Sequence, residues 1–313
     1  LIQIFRDWRG LPESARGNAI ALGNFDGVHL GHASVIRGLH AARPDRPAAV
    51  LTFEPHPREY FRPQDPPFRL TLSHERALAL EKLGVQTVYE LPFDGQFAHL
   101  TAEQFVADIL QGGLQAAHLA CGADFAFGHR RGGSTSYLAA RAEALGIGLT
   151  LVPPVSDPEG PVSATRIRRL LQDGYPERAS ALLGRPFSIR GIVAHGDKRG
   201  RTIGFPTANI PLGRHLEPAR GVYAVTARLP DSSFVKGVAN IGQRPTVGGE
   251  VSRLEAHLFD YAGDLYGAEL TVELRYFLRE EQKFASFDAL KNQILTDAQD
   301  ASRLLDALPS AAT

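Results

Sequence analysis

Short apolar runs alternate with helical patterns through the first half of the chain. Ala19 to Gly23, Ala48 to Phe53, Val85 to Leu91, Ala116 to Cys121 and Ile147 to Val152 each read as a buried strand. Between them, residues 31–42, 73–83, 101–111 and 134–145 carry helical spacing, and Thr101 with Gln104 makes a capping box for the third. This alternation predicts a parallel sheet with helices on both faces. Ligands of such sheets sit beyond the carboxyl ends of the strands, so 23–32 falls where chemistry is expected. From about Phe187 the pattern changes. Gly221 to Leu229, Phe234 to Ile241, Arg253 to Tyr261 and Glu269 to Phe277 read as strands at short spacing, which predicts a small antiparallel barrel. In the last of these, Leu270, Val272, Leu274 and Tyr276 alternate onto one face. A closing helix over 286–307 carries Leu290, Ile294, Ala298, Ala301 and Leu305 as one apolar stripe, the seam that packs it on the barrel. A helical pair over 163–183 precedes the boundary at Leu183-Gly184-Arg185-Pro186, which divides the chain into domains 1–184 and 185–313.

Composition narrows the function classes. The chain has 313 residues, enough for two domains of about 150 each. Its 34 basic and 34 acidic residues cancel, and the balance holds in each half: 19 against 19 up to Pro186, 15 against 15 beyond. Neither part has the basic excess that attracts nucleic acid or an anionic membrane. The single Cys121 excludes an intramolecular disulfide and suits a reducing cytoplasm; its place at a strand end predicts packing rather than reactivity. There is no run of about 18 apolar residues, and no secretory signal is visible at the N-terminus.

The most informative stretch of the first domain is Gly23-Asn24-Phe25-Asp26-Gly27-Val28-His29-Leu30-Gly31-His32. Its glycines let backbone approach a ligand, and helix-opening N–H groups form an anion site. His29 and His32 can both aim donors at one phosphate, which serves a reaction that builds negative charge on phosphorus oxygens. Two other readings stay open on these residues: histidines that only cap the helix, and a metal site made of Asp26, His29 and His32. This stretch resembles the nucleotide-binding signature of the adenylyl-transferring HxGH superfamily, in the version seen in the bacterial bifunctional riboflavin kinase/FMN adenylyltransferase (FAD synthetase) family. The resemblance continues in family order through Phe53-Glu54-Pro55-His56-Pro57 and Gly122–Gly128 with Arg130, Arg131 and Gly132, to Val162-Ser163-Ala164-Thr165-Arg166-Ile167-Arg168. It implies an HxGH-type, Rossmann-like, doubly wound nucleotidyltransferase domain. Gly23, Asn24, Phe25, Gly27, His29, His32, Ser163, Thr165 and Arg168 are then the residues for ATP, with His29, His32 and Arg168 catalytic. His56, Asp124 and Arg130 are implied to meet the flavin. Ala164 replaces the family's second Ser and carries no role.

In the second domain, Gly196, Lys198, Arg199, Gly200, Arg201 and Gly204 suggest a phosphate-covering loop, though an exposed basic hairpin has the same composition. It is not a Walker A sequence. Pro206-Thr207-Ala208-Asn209 is similar to the riboflavin kinase signature, in which Thr and Asn serve Mg²⁺ and phosphates; Thr207 and Asn209, two apart, share one side of an extended segment. Arg253-Leu254-Glu255-Ala256-His257-Leu258 puts Leu254, Ala256 and Leu258 on one strand face and Glu255 and His257 on the other. Glu255 matches the family's catalytic glutamate, a base for the ribityl 5′-hydroxyl. Gly237–Gly242, with Asn240, is implied to lie by the flavin, and Gly196, Lys198 and Gly200 by ATP. The resemblance predicts a riboflavin kinase-like barrel with a terminal helix, and two ATP-consuming steps, riboflavin to FMN and FMN to FAD, with Mg²⁺ held with ATP. Two alternatives stand beside it: a kinase alone, its adenylyltransferase lost with the Ala164 departure, and a flavin- and nucleotide-binding regulatory protein without turnover. Oligomeric state is not legible.

Overall fold

Ala19–Leu22 is buried at every position, as a strand covered on both faces must be, and it forms the middle of the first sheet. A computed structural model of the chain describes residues 1–194, 205–246 and 249–308. Six strands make up that sheet: β1 (Gln3–Phe5), β2 (Ala19–Leu22), β3 (Ala48–Glu54), β4 (Thr87–Pro92), β5 (His118–Gly122) and β6 (Gly148–Val152); a small hairpin of β7 (Ser156–Asp157) and β8 (Gly160–Pro161) follows it. All neighbours pair parallel, in the order β1-β4-β3-β2-β5-β6. Apart from the edge strand β1, the five expected strands and only those compose it. Residues of β2, β3 and β5 feed two separate cores, one on each face, as the doubly wound reading requires. The order reverses at β2, whose neighbours are β3 and β5, so the crevice for ligands opens at the carboxyl ends of these three strands.

The helices fall where the periodicity puts them, with one difference. Leu30–Ala42 (α1), Ser73–Glu81 (α3) and Thr135–Ala144 (α6) are regular, and the short α2 (Pro57–Phe61) and α4 (Gly95–Ala98) follow β3 and β4. The capping box at Thr101 forms in both directions, at 3.1 and 2.9 Å. The helix it starts, α5, is α-helical only over Ala102–Gln104, and continues as a π-helix over Phe105–Gly113. That wider winding ends at Gly113, which is packed against Trp8 so closely that a Cβ would stand 2.7 Å from the indole.

The chain forms two compact units, Leu1–Pro66 with Thr71–Ser163, and Pro67–Leu70 with Ala164–Thr313. In the second, the helices α7 (Ala164–Gln172) and α8 (Pro176–Leu183) precede a six-stranded antiparallel sheet. Its strands are β9 (Phe187–Ile192), β10 (Ala208–Pro211), β11 (Gly221–Arg228), β12 (Phe234–Thr246), β13 (Gly249–Leu258) and β14 (Glu269–Glu280), in the order β10-β13-β12-β11-β14-β9. An antiparallel bridge between Ala194 and Asn209, with a 2.8 Å N–H···O bond, joins the two outer strands and curls the sheet toward a barrel. The short strands β9 and β10 were not expected from the pattern.

One expected face is corrected. Val225 pairs with Leu274 but Ala224 pairs with Tyr276, so Arg275 is the extra residue of a bulge. Tyr276 is thereby turned to the face opposite Leu270, Val272 and Leu274. There it joins Val222, Ala224 and Val238 in the cluster that receives Ala301 and Leu305 of the terminal helix, Phe287–Asp306. The apolar stripe is the seam, but it also contains a charge. Asp297, 5% exposed, lies within it and is gripped by Arg279 of β14.

Candidate active sites

The loop after β2 is held in a conformation that few sequences tolerate. Phe25, Gly27 and Val28 have φ of 51°, 82° and 41°; for Val28, a β-branched residue, that is costly. The fixing contacts come from Thr71. Its N–H donates to Asp26 Oδ1 at 3.0 Å, and its Oγ1 accepts from the Gly27 N–H at 2.9 Å. Thr52 adds a 2.9 Å bond from its hydroxyl to the Asn24 carbonyl. Asp26 is 2% exposed, so its carboxylate serves this anchoring. Among the described residues no group of three His, Cys, Asp or Glu side chains is arranged to hold a metal ion, and the metal reading of Asp26, His29 and His32 has no support.

His29 caps α1, with Nδ1 accepting from the His32 N–H at 3.4 Å. With Nδ1 an acceptor, neutral His29 carries its proton on Nε2. The two imidazoles stack, centroids 3.7 Å apart and planes 19° off parallel, and His32 also lies 4.9 Å from the Phe25 ring. Gly31 permits this: a Cβ there would be 3.0 Å from His29 Cε1. The capping reading is thus observed for His29, and it engages only Nδ1 of the ring.

Two further loops leave the same carboxyl edge, from β3 and β5. His56 caps α2, Nδ1 accepting from the Arg58 N–H at 3.1 Å, while Glu59 closes the capping box on the His56 N–H at 3.0 Å. Asp124 and Arg130 are exposed on the loop beyond β5, Arg130 with φ of 52°. Loops carrying Gly23–His32, His56, and Asp124 with Arg130 thus follow the three strands that flank the crevice. Cys121, at the end of β5, is fully buried; burial, with Asp124 adding to it, pushes its thiol up to about 12. It packs, as expected.

Ser163 stands just before α7, Ala164 opens the helix, and Thr165 and Arg168 lie in its first turns. Arg168 donates from Nε to the Phe68 carbonyl at 2.8 Å and its guanidinium lies 5.1 Å from the Phe68 ring. Ser163 is the last residue of the first compact unit, and Ala164, Thr165 and Arg168 belong to the second.

In the barrel the register brings three candidates together. Asn209 pairs directly with Glu255 across β10 and β13, and Glu255 pairs directly with Asn240 across β13 and β12. Paired residues of antiparallel strands point to one face, so Asn209, Glu255 and Asn240 form a single cross-strand row. The opposite face carries Leu254, Ala256 and Leu258, all buried, as the alternation requires. Thr207 lies two residues before Asn209, and both line a cavity of about 910 Å³ together with His257 and the segment Asp260–Tyr266. The buried Oδ1 of Asn209 has no hydrogen-bond partner among the described residues. An amide oxygen beside a hydroxyl is a fitting donor pair for Mg²⁺, which prefers oxygen ligands. Gly196, Lys198 and Gly200 lie outside the described residues.

A Rossmann-like sheet with the Gly23–His32 loop at its switch point, and a separate barrel with a cleft lined by Thr207 and Asn209 and with Glu255 paired to Asn209, have the architecture of a two-domain nucleotide-using transferase. The FAD synthetase family model matches residues 11–166 and the riboflavin kinase model residues 183–305. Among curated relatives, the bifunctional riboflavin kinase/FMN adenylyltransferase of Escherichia coli K12 is 44% identical over 283 residues, 90% of each chain. That of Haemophilus influenzae is 41% identical over 308 residues, 98% of this chain and 100% of its own, and that of Bacillus subtilis 37% over 305, 95% and 96%. A solved structure described as a macrolide-efflux protein from Streptococcus pneumoniae superposes with a TM-score of 0.85 at 33% identity, covering 96% of this chain and 98% of its own. No helix among the described residues here is long and apolar enough to cross a membrane. The chain belongs to the bifunctional riboflavin kinase/FMN adenylyltransferase family. It is an enzyme with both of those activities.

Thr71 is the residue the sequence pattern missed. Nothing in Leu70-Thr71-Leu72-Ser73 marks it, because its partners are 44 and 45 positions away.

Proposed function

We propose that each activity runs at the site assembled above, with 1–184 as the FMN adenylyltransferase domain and 185–313 as the riboflavin kinase domain. The observation that carries this is the row Asn209–Glu255–Asn240, three candidates from separate strands on one sheet face. In the kinase step Glu255 orients the ribityl 5′-hydroxyl and accepts its proton as the oxygen attacks the γ-phosphorus of ATP; ADP leaves. Thr207 Oγ1 and Asn209 Oδ1 would hold Mg²⁺, which supplies charge neutralisation on the phosphates. Asn240 meets the flavin from the far end of the row. Gly196, Lys198 and Gly200 cover the ATP phosphates.

In the adenylyl step an FMN phosphate oxygen attacks the α-phosphorus of ATP and expels pyrophosphate, so no side-chain nucleophile is needed. His29 and His32 donate to phosphate oxygens as charge develops, and Gly23, Asn24, Phe25 and Gly27 shape the loop that receives the nucleotide. Ser163, Thr165 and Arg168 bind the triphosphate, and His56, Asp124 and Arg130 the flavin. The substrates are riboflavin, FMN and ATP, and the single buried thiol suits a cytoplasmic protein.

Incubating the protein with riboflavin, ATP and Mg²⁺ tests the whole scheme. FMN should appear first and FAD follow, with one pyrophosphate per FAD. FMN accumulating without FAD would leave a kinase alone, and neither product would leave the regulatory protein.

A further inference from the structure

The segment that follows β14 reaches back to the row. Glu281 Oε1 accepts from Asn240 Nδ2 at 3.2 Å. A carboxylate can only accept, so this contact sets which end of the Asn240 amide faces which way and leaves Oδ1 to accept from a ligand. Gly242, two residues along β12, makes room for it: a Cβ there would stand 2.3 Å from Glu281 Oε1 and 3.2 Å from Asn240 Nδ2.

Glu281 would be a loose surface side chain if its backbone were loose, but the chain is clamped one residue earlier. Arg279 donates from Nε and Nη2 to both oxygens of Asp297 at 2.7–3.1 Å, and from Nη1 to the Glu280 carbonyl at 2.9 Å. Gln293 completes the grip with a 2.9 Å bond to Asp297 Oδ1. The guanidinium thus ties the terminal helix to the main chain at Glu280. The terminal helix matches no functional motif, yet it supports the point from which Glu281 extends.

We propose that Glu281 is a positioning residue for the riboflavin kinase reaction, orienting Asn240 toward the flavin from a segment anchored by the terminal helix. This rests on the reading of Asn240 as a flavin contact. Glu281 acts on binding rather than on phosphoryl transfer, so its loss falls on the KM for riboflavin and not on kcat.

The test uses the full-length protein and steady-state kinase assays on Glu281→Ala, Glu281→Gln, Gly242→Ala and Asn240→Ala. Glu281→Ala should raise the riboflavin KM about tenfold, the size expected for losing one charge-assisted hydrogen bond. The KM for ATP, the kcat and FMN-to-FAD conversion should not change. Glu281→Gln keeps an acceptor and should recover most of the loss. Gly242→Ala meets the Glu281 carboxylate at 2.3 Å and the Asn240 amide only at 3.2 Å, so it chiefly displaces the tip of a flexible side chain and should raise the riboflavin KM at least as much as Glu281→Ala, with an unchanged melting temperature. An unchanged riboflavin KM in Glu281→Ala while Asn240→Ala raises it would overturn the positioning role alone. An unchanged KM in Asn240→Ala would overturn the flavin reading of Asn240 itself. A Gln variant no better than Ala would also overturn the proposal.

Discussion

One threonine carries much of the nucleotide loop. Thr71 satisfies the Gly27 N–H and the Asp26 carboxylate together, and these bonds hold a loop with three positive-φ residues among four, Phe25, Gly27 and Val28. Thr71→Val removes the hydroxyl and leaves the buried Gly27 N–H without it, at a cost of about 1–3 kcal/mol. FAD formation from supplied FMN should fall about tenfold or more, kinase activity should hold, and Thr71→Ser should restore the loss. Cys121 gives a second expectation at this scale. Its pKa is pushed up to about 12, so near pH 8 the folded protein holds almost no thiolate. A thiol reagent should label it only after denaturant is added. Ala164 opens α7, where alanine favours the helix, so a family hydroxyl is absent while the element is kept. Replacing it with serine should change FAD formation less than twofold, and a larger gain would make the departure functional.

Among the elements, the terminal helix shows what a one-dimensional pattern omits. Its stripe of Leu290, Ile294, Ala298, Ala301 and Leu305 is legible because apolar side chains repeat with the helical period. Asp297 is not, since a carboxylate inside an apolar seam makes sense only with Arg279 opposite. That partner is 18 positions away on β14. Asp297→Asn leaves the Arg279 charge without its counter-ion and should destabilise the second domain by on the order of 3 kcal/mol in urea unfolding. The bulge at Arg275 hides for a similar reason: alternation is a property of regular strands, and one extra residue reverses every later side chain. In β9 only Phe187 and Ile189 are buried, and the four-residue β10 ends in an exposed proline, so neither presents the continuous apolar run or long alternation that marks the other strands. The inner strands β2 to β5 of the first sheet are readable because burial on both faces makes them continuous apolar runs, whereas the three-residue edge strand β1 is not.

For the molecule as a whole, chemistry-bearing residues were legible as motifs, and their assembly was not. Glu255 and Asn209 could be singled out in sequence, but only the strand register places Glu255 directly between Asn209 and Asn240. The neutral total charge describes the chain and hides local concentration: Arg166, Arg168 and Arg169 stand without an acid over 162–169, in a segment assigned to phosphates. Two sites in one chain should fail separately. His32→Ala should abolish FAD formation and leave FMN formation intact.

The most direct measurement is the FAD made by Glu255→Gln protein from supplied FMN, set beside the FMN and FAD it makes from supplied riboflavin, with ATP and Mg²⁺ in both. Two separate sites predict FAD from FMN at the wild-type rate and no product from riboflavin. Loss of both conversions, or FMN formed from riboflavin at the wild-type rate, would contradict the account.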